Sequence, residues 1–249
     1  MKKLVLLTND DGIHAAGITA LRKSAERVWD TVVVAPDRER SAASHALTLN
    51  RPLRVNVIDD HTMAVDGTPT DCVMLSIMGL LDSKPDLVIS GINSGANLGD
   101  DVIYSGTVAG AAEAVLLGVP AVAVSFVDPL HTDFDWGAEI ANKVAKTVLK
   151  NTLPDGVFLN VNLPPNTNTQ NFEVTVLGRR SYRDVIVKKT DPRGKPYYWI
   201  AGQPEDWRGN MRCDFAAIER GSISITPLHL DMTAEHVFDD IASWKFDGE

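Results

Sequence analysis

The chain has 249 residues, 44% of them hydrophobic, enough to bury one sizeable core, and a formal charge of -9 at pH 7. That acidic balance offers no general positive field to a polyanion, so duplex nucleic acid is excluded as the main partner and an anionic substrate must be captured by local donors. The only cysteines, Cys72 and Cys213, lack CxxC or Cys/His spacing, which excludes a structural zinc site or a disulfide framework and predicts two reduced, partly buried thiols.

Lys2 and Lys3 precede an apolar run from Leu4 to Leu7 that is too short for a signal-peptide core. No stretch approaches the roughly 20 apolar residues that span a bilayer. The expectation is a soluble, cytoplasmic protein with no membrane partner. Leu4–Leu7, Thr31–Ala35, Asp86–Ser90 and Pro120–Ser125 are short apolar runs rich in β-branched residues, the pattern of buried parallel strands. Helical patterns lie between them: Ile18–Trp29, with apolar positions at Ile18, Leu21, Ala25 and Val28, then Asp71–Leu81 and Val108–Leu117. Strict alternation of strand and helix gives right-handed crossovers, and so an α/β, doubly wound, mainly parallel Rossmann-like sheet in a three-layer α/β/α arrangement. Its ligand site is expected outside the carboxyl ends of the strands.

The second half changes rhythm. Glu139–Leu149 predicts another helix and Val157–Val161 another strand, after which Pro164, Pro165 and the polar run Asn166–Asn171 interrupt the pattern. Antiparallel strands are expected at Glu173–Leu177, Val185–Lys188, Pro196–Ile200 and Ser222–Thr226, with Asp191–Gly194 as the turn of a long C-terminal β-hairpin projecting from the core. We expect one domain over residues 1–249, with the β-rich extension at about 172–226. An exposed hairpin either meets a copy of itself, building a homo-oligomer (dimer or tetramer), or folds back on its own core.

Four polar segments follow or precede these apolar elements. In TNDDG (Thr8–Gly12), Asp10 and Asp11 would point to opposite faces of a continuing strand, but a turn at Gly12 can bring both toward one point. Two close carboxylates repel unless a cation lies between them, so the pair suits a hard divalent metal; an ordinary Asp-Gly turn is the alternative. PDRERSAAS (Pro36–Ser44) brings the Ser41 hydroxyl to the same end of the sheet, and a hydroxyl beside two carboxylates suits magnesium or manganese rather than zinc. GINSGANLG (Gly91–Gly99) offers the Asn93 carbonyl oxygen and glycines that permit close ligand approach, without a GxGxxG or GxxxxGK[ST] fingerprint. YSGT (Tyr104–Thr107) stands before an Ala-rich helical run, where Ser105, Gly106 and Thr107 either cradle a phosphate at the helix N-terminus or simply cap the helix.

LLTNDDGIHAAGI, VVAPDRERSAAS, DGTPTDCV, SGINSGANLGDDVIYSGTVAGAAEA and GSISITPLHLDMTA resemble signatures of the stationary-phase survival protein SurE family of nucleotidases, spread over most of the chain. The resemblance implies a divalent-metal phosphatase acting on nucleoside 5′- and 3′-monophosphates, with one Mg2+ or Mn2+ per subunit, and a hairpin that joins subunits. By motif, its metal ligands fall on Asp10, Asp11, Ser41 and Asn93. Its catalytic set falls on Asp10, Asp11 and Asn9, and its phosphate pocket on Asn97, Ser105, Gly106 and Thr107. Polyphosphate is an open further substrate. The residues themselves favour metal-assisted attack by water. An aspartyl-phosphate on Asp10 and a non-catalytic metal- and nucleotide-binding sensor are the rival readings. His14 is the one candidate for a general acid.

Overall fold

Every apolar run of the amino-terminal half becomes a strand of one sheet in the computed structural model, which describes residues 2–128, 133–165, 169–182, 185–201, 204–244 and 246. In chain order the first half comprises β1 (Leu4–Thr8), α1 (Ala16–Ala25), β2 (Asp30–Pro36), β3 (Val55–Asp59), β4 (Thr62–Val65), α2 (Pro69–Leu75), β5 (Leu87–Ser94), α3 (Gly106–Leu116) and β6 (Ala121–Phe126). The second half adds α4 (Phe134–Asn151), β7 (Val157–Leu163), β8 (Phe172–Val174), β9 (Arg179–Tyr182), β10 (Val185–Thr190), β11 (Pro196–Ala201), β12 (Pro204–Arg208), α5 (Asp214–Glu219), β13 (Ile223–His229) and α6 (Phe238–Ala242).

Nine of these strands form the central sheet in the order β3, β4, β2, β1, β5, β6, β7, β13, β8. From β4 through β7 all neighbours are parallel, while β3 and β13 run antiparallel to β4 and β7. Alternation along β1 divides its side chains between two cores. Val5 and Leu7 pack with Ile18 and Leu21 of α1 and Val144 of α4, whereas Leu6 packs with Val73 of α2 and Val108 and Ala111 of α3. Helices therefore cover both faces. β1 has β2 on one side and β5 on the other, so the order of connection reverses there and opens a crevice at their carboxyl ends.

Several boundaries differ from the sequence pattern for local reasons. The first helix stops at Ala25, and Trp29 instead donates from Nε1 to Asn142 Oδ1 of α4 at 3.1 Å. The second starts at Pro69, fixed by a capping box between Thr68 and Asp71, and its last turn, Ser76–Leu80, widens into a π-helix. The third starts at Gly106, which puts two residues of YSGT inside its first turn. The pair β3 and β4 has no clear apolar alternation because β3 is an exposed edge strand.

The larger correction concerns the C-terminal strands. The segment expected as an extension over 172–226 is split: β8 and β13 join the main sheet, paired with each other in parallel. The run expected at Glu173–Leu177 is a strand only over Phe172–Val174, and that expected at Ser222–Thr226 extends to His229 because it has β7 beside it along that length. Among the described residues β9 to β12 stand apart, as two nested antiparallel pairs, β9 with β12 enclosing β10 with β11. The expected turn is present: Asp191 Oδ1 accepts from Arg193 N and Lys195 N, both at 2.8 Å. Of the polar run Asn166–Asn171, residues 166–168 lie outside the described residues. Both cysteines are free and are fully rather than partly buried. No helix among the described residues is long and apolar enough to cross a membrane.

Asp214, at the first turn of α5, ties the C-terminal segment to the core. Its buried carboxylate accepts from Gly99 N at 2.7 Å, Gly178 N at 2.8 Å and Phe215 N at 2.9 Å. Asp214→Ala would leave three N–H groups without partners and is expected to cost about 3 kcal/mol or more in urea denaturation, with Asp214→Asn milder because it keeps one acceptor.

Candidate active site

The crevice is built by turns that only certain residues can make. After β1 the chain reverses at Gly12, whose φ of 99° lies in the left-handed region and where a Cβ would meet the Arg38 backbone at 2.9 Å. Asn9 closes the turn by donating from Nδ2 to Gly12 O at 2.9 Å. The loop after β2 is laced to it, with Ile13 N donating to Pro36 O at 2.8 Å and Arg40 N to Asp10 O at 2.7 Å. The turn points both aspartates into one cavity of about 360 Å³, which Glu39, Ser41, Asn93, Asn97 and Ser105 also line.

Asp10 is buried beneath the first turn of α3. Thr107 Oγ1 donates to Asp10 Oδ1 in a short hydrogen bond, and a Cβ on Gly106 would lie 2.9 Å from Oδ2, so a larger residue at 106 would collide with the carboxylate. Burial raises the Asp10 pKa to about 6; the Thr107 hydroxyl opposes that rise and the charge of Asp11 adds to it. Burial also raises Asp11, against the pull of Ser94 N, which donates to its Oδ2 at 3.1 Å; the Glu39 charge raises it further. Among the described residues no Lys, Arg or His lines this cavity.

The neutral donors come from the neighbouring loops. Ser41 Oγ donates to Glu39 Oε1 at 2.5 Å, which leaves the hydroxyl oxygen's lone pairs facing outward from that bond. Its loop is held in an uncommon form: Ala42 and Ser44 have φ of 55° and 53°, and Ser44 is fastened by its Oγ to Ile103 O at 2.7 Å. Asn93, at the end of β5, donates from Nδ2 to Gly95 O at 2.9 Å and leaves Oδ1 without a protein partner among the described residues. Ser105 Oγ accepts from Val108 N at 3.0 Å as the helix cap, so its own hydrogen remains for a ligand.

All nine residues singled out in the sequence, Asn9, Asp10, Asp11, Ser41, Asn93, Asn97, Ser105, Gly106 and Thr107, thus gather at one end of β1, β2, β5 and α3. The geometry refines what they offer. The Thr107 hydroxyl, expected to face a phosphate, is occupied by Asp10. His14 lines a separate concavity with Thr19, Lys23 and Asp133. Glu39 and Asp101 also line the cavity without being among the sequence candidates; the position of Glu39 two residues before Ser41 is a signal for the first of them.

Two carboxylates, a hydroxyl and an amide carbonyl are the oxygen ligands that a hard divalent cation takes. Among the described residues no cluster of three or more His, Cys, Asp or Glu side chains could hold a metal. Asn9 Oδ1, buried and without a partner among the described residues, is a further unsatisfied acceptor. The donor set therefore fits a magnesium- or manganese-type ion.

The sequence profile described as "Survival protein SurE" matches residues 5–184. This chain belongs to the SurE family. A SurE-family protein of Pelobacter propionicus named 5′-nucleotidase SurE is 52% identical over 245 residues, covering 97% of this chain and 99% of that protein. One of the same name from Nitrosococcus oceani is 47% identical, covering 96% of both. The crystal structure of the SurE protein from Aquifex aeolicus superposes with a TM-score of 0.86 at 42% identity, over 96% of this chain and 98% of that one. The Rossmann-like core and separate antiparallel hairpin are thus features this SurE chain shares with a solved relative.

The Thr107 bond gives a direct test of the site's electrostatics. In metal-free protein the Asp10 carboxyl should titrate near 6, and Thr107→Val, which removes a donor that favours the charged form, should move the midpoint upward. Carbon-detected NMR titration of the Asp10 carboxyl reads both.

Proposed function

We propose that this chain is a divalent-cation-dependent nucleotidase that hydrolyses nucleoside 5′-monophosphates to nucleoside and phosphate. The observation that carries the reading is the meeting of Asp10, Asp11, Ser41 and Asn93 oxygens in one cavity beside the first turn of α3, where among the described residues no basic side chain is present to receive an anion. Close relatives named 5′-nucleotidase SurE support the substrate class. Asp10, Asp11, Ser41 and Asn93 hold one Mg2+ or Mn2+, which when bound supplies a Lewis acid for a phosphate oxygen and lowers the pKa of water.

The chain's own groups do the rest. Thr107 keeps Asp10 ionised, and Asn9 holds the turn that aims both aspartates. Ser105, through its free hydroxyl hydrogen, and Asn97, through its carboxamide, donate to the phosphate oxygens, whose charge grows as the ester bond breaks. Gly106 leaves room for the Asp10 carboxylate itself against the first turn of α3. Water oxygen forms the new bond to phosphorus, the bond to the ribose oxygen breaks with its electron pair, and that oxygen gains a proton as the water loses one. The same terminal phosphate occurs in 3′-monophosphates and in polyphosphate, which we place as secondary substrates.

Two wider assignments accompany this reading. The unpaired thiols Cys72 and Cys213 support a reducing compartment, the cytoplasm. Exposed Ile186, Tyr198, Trp199 and Ile200 on β10 and β11 support a homo-oligomer, dimer or tetramer, joined through this hairpin.

Phosphate release from a panel of nucleoside monophosphates should require Mn2+ or Mg2+ and vanish with chelator, and Asp10→Asn should lower kcat/KM by roughly a thousandfold at unchanged folding. Tight cation-dependent nucleotide binding without phosphate release would instead support a sensor.

A further inference from the structure

Asn97 reaches the cavity from an irregular loop, residues 95–98, that has no strand or helix of its own to hold it. Alternate residues of this segment are pinned from elements distant in sequence. Gly95 N donates to Phe126 O at 3.0 Å, and Gly99 N donates to Asp214 Oδ2 at 2.7 Å. Between them, Asn162 grips both backbone groups of Asn97: its Oδ1 accepts from Asn97 N at 2.9 Å and its Nδ2 donates to Asn97 O at 2.9 Å. Asn160 Nδ2 donates to the same carbonyl at 2.8 Å. The Asn97 side chain donates in turn from Nδ2 to Ser125 Oγ at 2.7 Å, which uses one hydrogen of that amide and leaves the second.

Asn160, Asn162 and Ser125 have no exposed surface, and Asn97 is nearly as buried. Asn160 and Asn162 lie two apart on β7, on the face that Phe158 shares with the second core, where an apolar side chain would be the ordinary occupant. Burying carboxamides there is unfavourable unless they are bonded, and among the described residues these two side chains bond to Asn97 alone. Even so, Asn160 Oδ1 stays buried without a partner. A loop needing only an anchor would have one in Gly95 and Gly99; three further bonds to a single residue specify where that residue sits.

We propose that Asn162, with Asn160 beside it, is a positioning residue for phosphate hydrolysis: it locks the backbone of Asn97 so that the free N–H of the Asn97 carboxamide is presented to a phosphate oxygen in the cavity. The inference rests on the phosphatase reading above. A donor fixed before substrate arrives needs no reorganisation during the reaction, which is the physical advantage of such a lock.

The test is a double-mutant cycle of Asn162→Ala and Asn97→Ala on the full chain, with adenosine 5′-monophosphate and Mn2+. Readouts are kcat/KM, inhibition by inorganic phosphate, Mn2+ affinity by calorimetry, and Tm. Asn162→Ala should lower kcat/KM and weaken phosphate inhibition by roughly 10- to 100-fold with Mn2+ affinity nearly unchanged, and the double variant should be no worse than Asn97→Ala alone. Ser224→Ala is the control for lost structure: Ser224 bonds Thr175, just past the end of β8, at 2.8 Å, so its loss should lower Tm while kcat/KM per folded molecule holds. Should Asn162→Ala not fold, Asn162→Asp carries the cycle, since it keeps the acceptor for Asn97 N but sets an oxygen against Asn97 O. Full activity and phosphate affinity in the folded Asn162 variant, or additive losses with Asn97→Ala, would overturn the lock and leave the phosphatase reading standing. An inactive wild type would overturn both.

Discussion

Asp10 sits buried against the first turn of α3, one residue from a second carboxylate, and most of the surrounding structure follows from that arrangement. A carboxylate in such a place is unfavourable when ionised, which is why burial moves its pKa to about 6. Three features hold it there: Gly12 turns the chain sharply after β1, Gly106 gives the carboxylate its space, and Thr107 donates to it. Each is specific to the residue type present. The result is a concentration of negative charge in a cavity that Glu39 and Asp101 also line, and a bound divalent cation is the simplest means of neutralising it.

The parallel half of the fold supplies the ligands, and the later half keeps them in place. β1, β2 and β5 each end at the crevice and deliver one loop, as a doubly wound sheet does at its switch point. The loop carrying Asn97 would be poorly held by that half alone. It is fastened by Phe126 on β6, Asn160 and Asn162 on β7, and Asp214 on α5. Asp214 also binds Gly178, just before β9, so the start of the hairpin and the edge of the site share one carboxylate.

Much of this was legible in the sequence, for identifiable reasons. β1, β2, β5 and β6 are covered on both faces, so they appear as unbroken apolar runs, and the site loops carry their chemistry in short contiguous motifs such as NDDG and YSGT. Features fixed by distant contacts were not legible. β3 and β4 form a partly exposed edge, and α5 is only six residues long, too short for a periodic signal. In VFLNVNL the alternating asparagines are fully buried, because their partner is a loop more than sixty residues earlier, and nothing local in the sequence marks that. Likewise Thr107 and Ser105 were recognisable as site hydroxyls, but their division between Asp10 and the helix cap depends on geometry no local pattern encodes.

The central claim is that Asp10, Asp11, Ser41 and Asn93 converge in order to hold a divalent cation next to a phosphate. Anomalous diffraction from crystals grown with Mn2+ tests it most directly. The account predicts one strong peak per subunit within ligand distance of oxygens from those four residues, lost in Asp10→Asn crystals. An absent peak at millimolar Mn2+, or a peak coordinated elsewhere in the molecule, would contradict it.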